Sequence, residues 1–197
     1  MVSEAFYKLF IDPFLNKAQK QAASLIPDGS NIIDIACGIG TLALKNSSGA
    51  SQVMGVDLSA RSISYAKKRA QKSGRSGLQF IEMDATDLSR FKDVEFDYAT
   101  ISMAVHQFHP DTGKQILKEM TRISKSIVVI DYGYPQPKGF AGLAVRLIER
   151  LAGDEHNRNF KAYLKMGGIS EIARELGLSA NVEFGKKGHV FTIVTLR

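Results

Sequence analysis

Short apolar runs alternate along this chain with stretches of helical periodicity, and this alternation limits the possible folds more than any other feature. Runs that are apolar throughout are typical of strands buried on both faces of a parallel sheet. The predicted strands are 31–35, 53–56, 78–83, 98–103, 127–131, 181–184 and 189–196. Helical segments between the first five strands predict repeated βα units with helices on both faces of the sheet.

The last two predicted strands differ from the others because a short glycine-bounded segment, Gly185-Lys186-Lys187-Gly188, separates them. Such a spacing indicates a hairpin. We therefore expect an α/β protein with a seven-stranded, mostly parallel sheet and a C-terminal antiparallel hairpin. In open sheets of this kind, ligands bind beyond the carboxyl ends of the strands.

Length and composition indicate a single globular domain. The chain has 197 residues, of which 44% are hydrophobic and 23% charged, and this is enough for one sizeable core. The single cysteine, Cys37, excludes an intrachain disulfide. No apolar run approaches the roughly 20 residues of a membrane span, and no signal sequence is visible. We expect a cytoplasmic protein without a membrane span.

The formal net charge of +6 is concentrated in one segment. Residues 58–81 contain no acidic residue and carry six basic ones: Arg61, Lys67, Lys68, Arg69, Lys72 and Arg75. We interpret them as the solvated face of a helix and expect no specific nucleic-acid partner, although a role on nucleic acid stays open as an alternative.

A glycine turn follows the first predicted strand. Gly38 and Gly40 let the backbone turn sharply and let a ligand approach the amides of the next helix. Together with Ala43 they fit the Gly-x-Gly-x-x-Ala pattern of dinucleotide sites, and Asp57, after the second strand, is placed to bind ribose hydroxyls. An NAD(P)-dependent oxidoreductase is therefore an alternative.

Asp34 separates the two interpretations because it places a carboxylate inside an otherwise apolar strand. Such a group requires a cationic or hydrogen-bonding partner. The α-ammonium group of a methionine-like cofactor meets that requirement, whereas a pyrophosphate would be repelled. Asp34 therefore favours a cofactor with an amino group.

Four segments resemble the motifs of class I S-adenosylmethionine-dependent methyltransferases. Residues 33–40, Ile-Asp-Ile-Ala-Cys-Gly-Ile-Gly, resemble motif I, and residues 56–59, Val-Asp-Leu-Ser, resemble the acidic second-strand motif. Residues 83–85 and 96–106 resemble the third- and fourth-strand segments. The resemblance covers residues 10–135, and the terminal hairpin matches the last two strands of the family.

The resemblance implies a Rossmann-like fold that binds S-adenosylmethionine and releases S-adenosylhomocysteine. It implies that Asp34, Gly38 and Gly40 hold the methionine part and that Asp57 binds the ribose hydroxyls. Asp84 would bind the adenine amino group, with Ala85 alongside. Ala36, Leu58 and Ser102 belong to the same segments and complete the predicted cofactor site.

Methyl transfer is an in-line displacement, so most of the catalytic effect can come from orientation and exclusion of water. A general base is needed only if the acceptor must lose a proton. The candidates are His106, His109, Asp131 and Tyr132, and we favour His106. Because no further ligands accompany His106, His109 and Asp111, we expect no metal site. Cys37 is interpreted as a small turn residue.

Residues 135–165 interrupt the alternation, and we expect them to form an acceptor lid inserted into a single methyltransferase domain, 1–197. Leu143, Leu147 and Leu151 mark an amphipathic helix, for which we expect core packing. The segment after it carries polar and aromatic side chains that suit an amine or a ring-bearing acceptor: Asp154, Glu155, His156, Asn159, Phe160 and Tyr163.

Within the family, the cofactor half resembles the methyltransferases of ubiquinone and menaquinone biosynthesis and their small-molecule relatives. Those enzymes have a Tyr-x-x-Leu-Pro segment in the lid, whereas this chain has Tyr-Leu-Lys-Met-Gly-Gly at 163–168. We expect methyl transfer to a small-molecule acceptor. The alternatives are the oxidoreductase and a nucleic-acid methyltransferase. The acceptor, the methylated atom and the oligomeric state stay open.

Overall fold

The computed structural model describes residues 12–185 and 189–197 and contains one sheet of seven strands. The strands are β1 (Asn31–Ile35), β2 (Gln52–Asp57), β3 (Leu78–Glu82), β4 (Phe96–Ser102), β5 (Ser124–Tyr132), β6 (Ala180–Phe184) and β7 (Phe191–Leu196). Their order is β3-β2-β1-β4-β5-β7-β6. The first five strands are parallel, and β7 runs antiparallel to both β5 and β6.

These pairings confirm the predicted α/β sheet and its terminal hairpin. Residues 186–188 of the predicted turn lie outside the described residues, as does the segment before residue 12. Three predicted strand starts are wrong by two or more residues. The fourth strand begins at Phe96 rather than at residue 98, the fifth at Ser124 rather than at 127, and the seventh at Phe191 rather than at 189.

Seven α-helices are described, and among the described residues none lies between β3 and β4, so the expected alternation of strand and helix is wrong there. They are α1 (Asp12–Ala23), α2 (Thr41–Asn46), α3 (Ala60–Ser73), α4 (Pro110–Ile123), α5 (Phe140–Leu151), α6 (Asp154–Lys165) and α7 (Gly168–Glu175). A short 3-10 helix, Val105–Gln107, follows β4. Local signals set the ends of α3, because the Ser59 side chain accepts from the Ser62 amide and Gly74 adopts a left-handed conformation.

The sheet separates two apolar layers. Along β1, Ile33 faces the layer that contains α4, α6 and α7, whereas Ile32 faces the layer that contains α1, α2 and α3. This alternation follows from the two-residue period of a strand. Both faces are covered by helices, as the apolar strands predict.

The position of β1 determines where a ligand can bind. β1 pairs with β2 on one side and with β4 on the other. The strand order therefore reverses at β1, with β2 and β3 on one side and β4 and β5 on the other. The resulting crevice lies beyond the carboxyl ends of β1 and β4. The glycine turn and the 3-10 helix both begin at this edge.

The expected core packing of α5 is wrong for its leucines. Leu143, Leu147 and Leu151 are 60%, 54% and 49% exposed, and Phe140 at the start of the helix is 85% exposed. The opposite face packs inward and includes Glu149, which is 3% exposed. The periodicity of apolar residues identified the helix correctly but not its inner face. That face carries Glu149, and an acid can be buried there only because it has hydrogen-bonding partners in distant segments. Among the described residues, no helix is long and apolar enough to cross a membrane.

Candidate functional site

An open cleft of about 1380 Å³ lies at the carboxyl edge of the sheet. Eight of the nine predicted cofactor residues line it: Asp34, Ala36, Gly38, Asp57, Leu58, Asp84, Ala85 and Ser102. They come from the ends of four different strands or from the loops that follow them. The fold therefore brings together side chains that are up to 68 positions apart in the sequence.

Glycine is needed at the two positions of the turn for different structural reasons. Both are left-handed, with φ of 52° at Gly38 and 75° at Gly40. A Cβ at Gly38 would meet no atom within 4 Å, whereas a Cβ at Gly40 would lie 2.6 Å from the Phe80 ring. Gly38 thus keeps the cleft open, and Gly40, which does not line the cleft, lets the turn pack against the helix and strand behind it.

Ala36 precedes these glycines and is also left-handed, with φ of 50°. Met103, after β4, has φ of 55° and lines the same cleft. A left-handed conformation costs a residue with a Cβ roughly 1–2 kcal/mol. Strain of this kind at two strand ends is typical of functional sites.

Asp34 is buried, and both of its carboxylate oxygens have partners. The Thr100 hydroxyl donates to Oδ1 (2.7 Å) and the Ala43 amide donates to Oδ2 (3.1 Å). Burial raises the pKa of Asp34 to about 7, although both hydrogen bonds act to lower it. Because an amide in the first turn of α2 is already bound to an acid, this helix start is poorly suited to a pyrophosphate.

Asp57 and Asp84 hold the loops after β2 and β3. Asp57 accepts from the Gly38 amide (2.7 Å) and from the Ser59 amide (2.9 Å). Asp84 accepts from the amide and the hydroxyl of Thr86, both at 2.8 Å. Neither acid caps a helix, because Ser59 caps α3 and no helix follows Asp84. Both carboxylates line the cleft.

Several lining residues were not predicted from the sequence. Gln19 on α1 donates to the Ser102 hydroxyl (3.3 Å) and accepts from Lys45 Nζ (3.0 Å). Arg69 on α3 donates to the Ile39 carbonyl (2.7 Å) and to the Thr41 hydroxyl (2.9 Å). Arg69 stabilises the glycine turn through these two hydrogen bonds. Its position in the basic segment was the only feature of the sequence that could have indicated this role. The other five basic residues of segment 58–81 are exposed: Arg61, Lys67, Lys68, Lys72 and Arg75.

Cys37 lies in the glycine turn beside Asp34 and Asp57. Burial raises the pKa of its thiol, and the two carboxylates raise it further. The thiol is therefore protonated at neutral pH and is a poor nucleophile. This agrees with its interpretation as a small turn residue.

His106 does not line the cleft. Its ring is buried, with Nδ1 2.6 Å from Asp131 Oδ1 and Nε2 3.7 Å from Glu149 Oε2. Burial alone would lower the pKa of His106, but the two carboxylates outweigh it and raise that pKa. His109 is far more exposed and accepts from the Asp111 amide at the start of α4. The predicted role of His106 as a base stays a prediction.

Glu149 and His156 come from the insertion and meet His106 in a buried cluster. His156 Nε2 contacts Glu149 Oε2, and the Tyr132 hydroxyl donates to Glu149 Oε1 (2.8 Å). Burial acts to raise the pKa of Glu149, but both histidines and Tyr132 lower it. The ligand atoms of His106, Glu149 and His156 lie within 4.8 Å of one another. Sequence reasoning missed Glu149 because nothing local indicates a buried acid.

The insertion packs behind the cleft. Among the described residues, none of 135–165 lines it. Instead, α6 packs on the 3-10 helix, where the Asn159 side chain donates to the Gln107 carbonyl (2.7 Å). Phe160 and Tyr163 are buried, and the Tyr163 hydroxyl donates to the Tyr132 carbonyl (2.9 Å). Segment 163–168 is therefore involved in core packing.

Sequence comparison relates this chain to known enzymes. Residues 32–126 match the family described as a methyltransferase domain. The 2-phytyl-1,4-naphtoquinone methyltransferase of Nostoc sp. is 32% identical over 177 residues, covering 79% of this chain and 75% of that protein. The demethylmenaquinone methyltransferase of Oceanobacillus iheyensis is 29% identical over 118 residues, covering 57% of this chain and 48% of that protein.

Structural comparison gives the same fold. A SAM-dependent methyltransferase from Aquifex aeolicus superposes with a TM-score of 0.66 at 14% identity, covering 98% of this chain and 93% of that one. Magnesium protoporphyrin IX methyltransferase from Synechocystis, determined with bound SAH, gives a TM-score of 0.64 at 14% identity, covering 94% and 82%.

Proposed function

This chain belongs to the class I S-adenosylmethionine-dependent methyltransferases, and from that premise we propose that its cleft binds the cofactor through three acids and transfers the methyl group to a quinone-type ring. S-adenosylmethionine is the cofactor, and the acceptor is a small molecule. The observation that carries the cofactor site is the convergence of Asp34, Asp57 and Asp84 on one cleft.

The chemistry of the three acids suits the three parts of the cofactor. Asp34 lies deepest, where a carboxylate can balance an α-ammonium group, directly or through water. Asp57 lies at the end of β2, where its oxygens can accept from vicinal ribose hydroxyls. Asp84, with Ala85 beside it, can accept from an exocyclic amine. Ala36, Gly38, Leu58 and Ser102 supply the walls between these acids.

The residues of this chain act mainly by orientation. When bound, the cofactor supplies a methyl group on a positively charged sulfur. Gly38 and the strained Ala36 fix the turn under the methionine part, and Gln19 holds Ser102 at the end of β4. Leu15 and Phe108 give the cleft an apolar rim that excludes water from the reacting atoms. No metal or base in the cleft is required for this displacement.

The quinone-type acceptor rests on the relatives and on the walls of the cleft. The Nostoc relative, which covers most of both chains, is named for a phytyl-substituted naphthoquinone. In this chain the cleft beyond Ser102 is bordered by Met103, Phe108 and Ile116 as well as by Gln107. Apolar walls with a few polar groups suit a planar ring. The sequence of segment 163–168 differs from that of the quinone enzymes. Because this segment packs in the core and does not line the cleft, the difference does not argue against a quinone-type acceptor.

The exposed face of α5 supports an acceptor that resides in a lipid surface. Phe140, Leu143 and Leu147 form an apolar stripe on the insertion, and Arg146 and Arg150 are exposed beside it. An apolar stripe flanked by cations is typical of a helix that lies in the interface of an anionic bilayer. We propose that this stripe docks the insertion, residues 135–165 of the single domain, on the bilayer that holds the acceptor.

Transfer of labelled methyl groups tests this function. The protein is incubated with methyl-labelled S-adenosylmethionine and short-chain demethylated naphthoquinols, which in their reduced form are electron-rich enough to attack a sulfonium methyl group. We expect label in the quinol with the wild type and, at subsaturating cofactor, about tenfold less or lower with Asp57→Ala. Transfer to other small molecules but to no quinol would contradict the proposed acceptor and leave the methyltransferase assignment intact.

A further inference from the structure

Behind the 3-10 helix, side chains from four elements converge on one buried point. His106 comes from that helix, Asp131 and Tyr132 from the end of β5, and Glu149 and His156 from α5 and α6. His106 is 1% exposed and Glu149 is 3% exposed. This cluster is separate from the lining of the cofactor cleft.

The ring of His106 is held in the orientation of a metal ligand. Its Nδ1 lies 2.6 Å from Asp131 Oδ1, and the Asp131 carboxylate also accepts from the His106 and Tyr132 amides. A carboxylate at Nδ1 holds a proton on that nitrogen, so Nε2 is the nitrogen that a metal ion can bind in place of a proton. Nε2 points toward Glu149 Oε2, 3.7 Å away.

Glu149 and His156 supply two further donor atoms. His156 Nε2 contacts Glu149 Oε2, and the three donor atoms of the cluster lie within 4.8 Å of one another. Ligand atoms at about 2.0–2.1 Å from a tetrahedral zinc ion are about 3.3 Å apart, so small shifts of these side chains suffice. The Tyr132 hydroxyl holds the other Glu149 oxygen at 2.8 Å, as an outer hydrogen bond would.

The donor set selects the kind of metal. Two imidazole nitrogens and one carboxylate oxygen suit zinc and neighbouring transition metals and do not suit magnesium or calcium, which prefer oxygen ligands. Three protein ligands leave a fourth position for water. The His156 side chain is 22% exposed, whereas those of His106 and Glu149 are 2% and 4% exposed. His156 therefore marks a path by which an ion can enter.

Where the sequence alone led us to expect no metal site, we propose that His106, Glu149 and His156 bind a divalent transition metal, zinc by preference, which fastens the inserted helices α5 and α6 to the 3-10 helix after β4. The 3-10 helix that carries His106 borders the cofactor cleft through Gln107 and through Ala104, the residue that precedes it. The ion therefore fixes the rim of the cleft from behind. Without it, the same side chains form a hydrogen-bonded network around Glu149.

Metal titration tests the site directly. The protein is freed of metal with a chelator and titrated with Co²⁺, whose intense visible absorption reports four- or five-coordinate nitrogen and oxygen ligands. We expect one equivalent to bind to the wild type and to be displaced by Zn²⁺. The His156→Ala variant should lose the absorption band, whereas His109→Ala, which removes an exposed histidine outside the cluster, should retain it.

Thermal unfolding gives a second measurement. Because the ion binds the folded state, Zn²⁺ in excess should raise the melting temperature of the wild type and of His109→Ala by several degrees and leave that of His156→Ala unchanged. Binding of S-adenosylhomocysteine to each variant verifies that it is folded. Absence of the visible band from the wild type, or equal bands from the wild type and His156→Ala, would overturn the proposal and leave the hydrogen-bonded network alone.

Discussion

The backbone amide of Gly38 donates a hydrogen bond to the Asp57 carboxylate, with 2.7 Å between N and Oδ2. One contact thus ties the glycine turn after β1 to the end of β2. The other Asp57 oxygen accepts from the Ser59 amide at the start of α3. The acid that we assign to the ribose hydroxyls therefore also fixes the turn that we assign to the methionine part.

Alanine at the two glycines should separate packing from binding. Gly40→Ala places a Cβ 2.6 Å from the Phe80 ring, whereas Gly38→Ala meets no atom and adds only the strain of a left-handed residue. We expect Gly40→Ala to lower the free energy of unfolding by about 1–3 kcal/mol more than Gly38→Ala. Gly38→Ala should weaken S-adenosylhomocysteine binding because its methyl group enters the cleft. Denaturant unfolding measures the stability of each variant, and calorimetry measures its binding of S-adenosylhomocysteine. Equal loss of stability in the two variants would contradict the packing role of Gly40.

The pH dependence of stability should reveal Asp34. Its pKa is raised from 3.8 to about 7 in the folded protein, chiefly by burial. Between these values the unfolded chain has lost the proton and the folded protein retains it, so the contribution of Asp34 to stability falls as the pH rises from 4 to 7. One such proton changes the free energy of unfolding by about 1.4 kcal/mol per pH unit.

Asp34→Asn provides the comparison, because asparagine has nearly the same shape and does not titrate. We expect the stability of this variant, relative to the wild type, to increase as the pH rises from 4 to 7 and to level off above 7. Glu171→Gln, at an exposed ion pair with Arg174, serves as the control and should show no such trend. A constant difference between Asp34→Asn and the wild type would contradict the raised pKa.

The apolar stripe of α5 predicts binding to lipid vesicles. Sedimentation with anionic vesicles should carry the wild type down, and the double change Leu143→Ser and Leu147→Ser should reduce the bound fraction several-fold without loss of stability, since both side chains are exposed. Tyr65→Ser, at an exposed aromatic on α3, is the control and should bind like the wild type. Concentration-dependent dimers that the double change abolishes, without vesicle binding, would contradict a lipid surface.

The sequence predicts much of this fold because the strands carry their own signals. Runs such as 31–35 and 127–131 carry apolar residues on both faces, which in a short segment is typical of an interior parallel strand. The glycine-bounded segment 185–188 predicts the hairpin in the same local way. The starts of β4, β5 and β7 were predicted wrongly because the polar residues near them, Asp97, Ser124 and His189, do not distinguish a strand from a loop.

The sequence could predict that the proposed cofactor residues lie close together, because each stands near a strand end and strand ends meet at one edge of the sheet. The buried cluster was not predictable. His106 and Glu149 are 43 positions apart, and the burial of Glu149 depends on partners in three segments. For the same reason periodicity assigned Leu143 to the core, since a helix with a partnered acid on its inner face cannot be oriented from its own sequence.

Calorimetry with S-adenosylhomocysteine tests the central claim most directly. We expect the wild type to bind one equivalent, Asp57→Ala to bind at least tenfold more weakly, and the exposed control Glu171→Ala to bind like the wild type. Circular dichroism verifies that the variants remain folded. No binding to the wild type at millimolar ligand, or equal affinity of the wild type and Asp57→Ala, would contradict a cofactor site built on Asp34, Asp57 and Asp84.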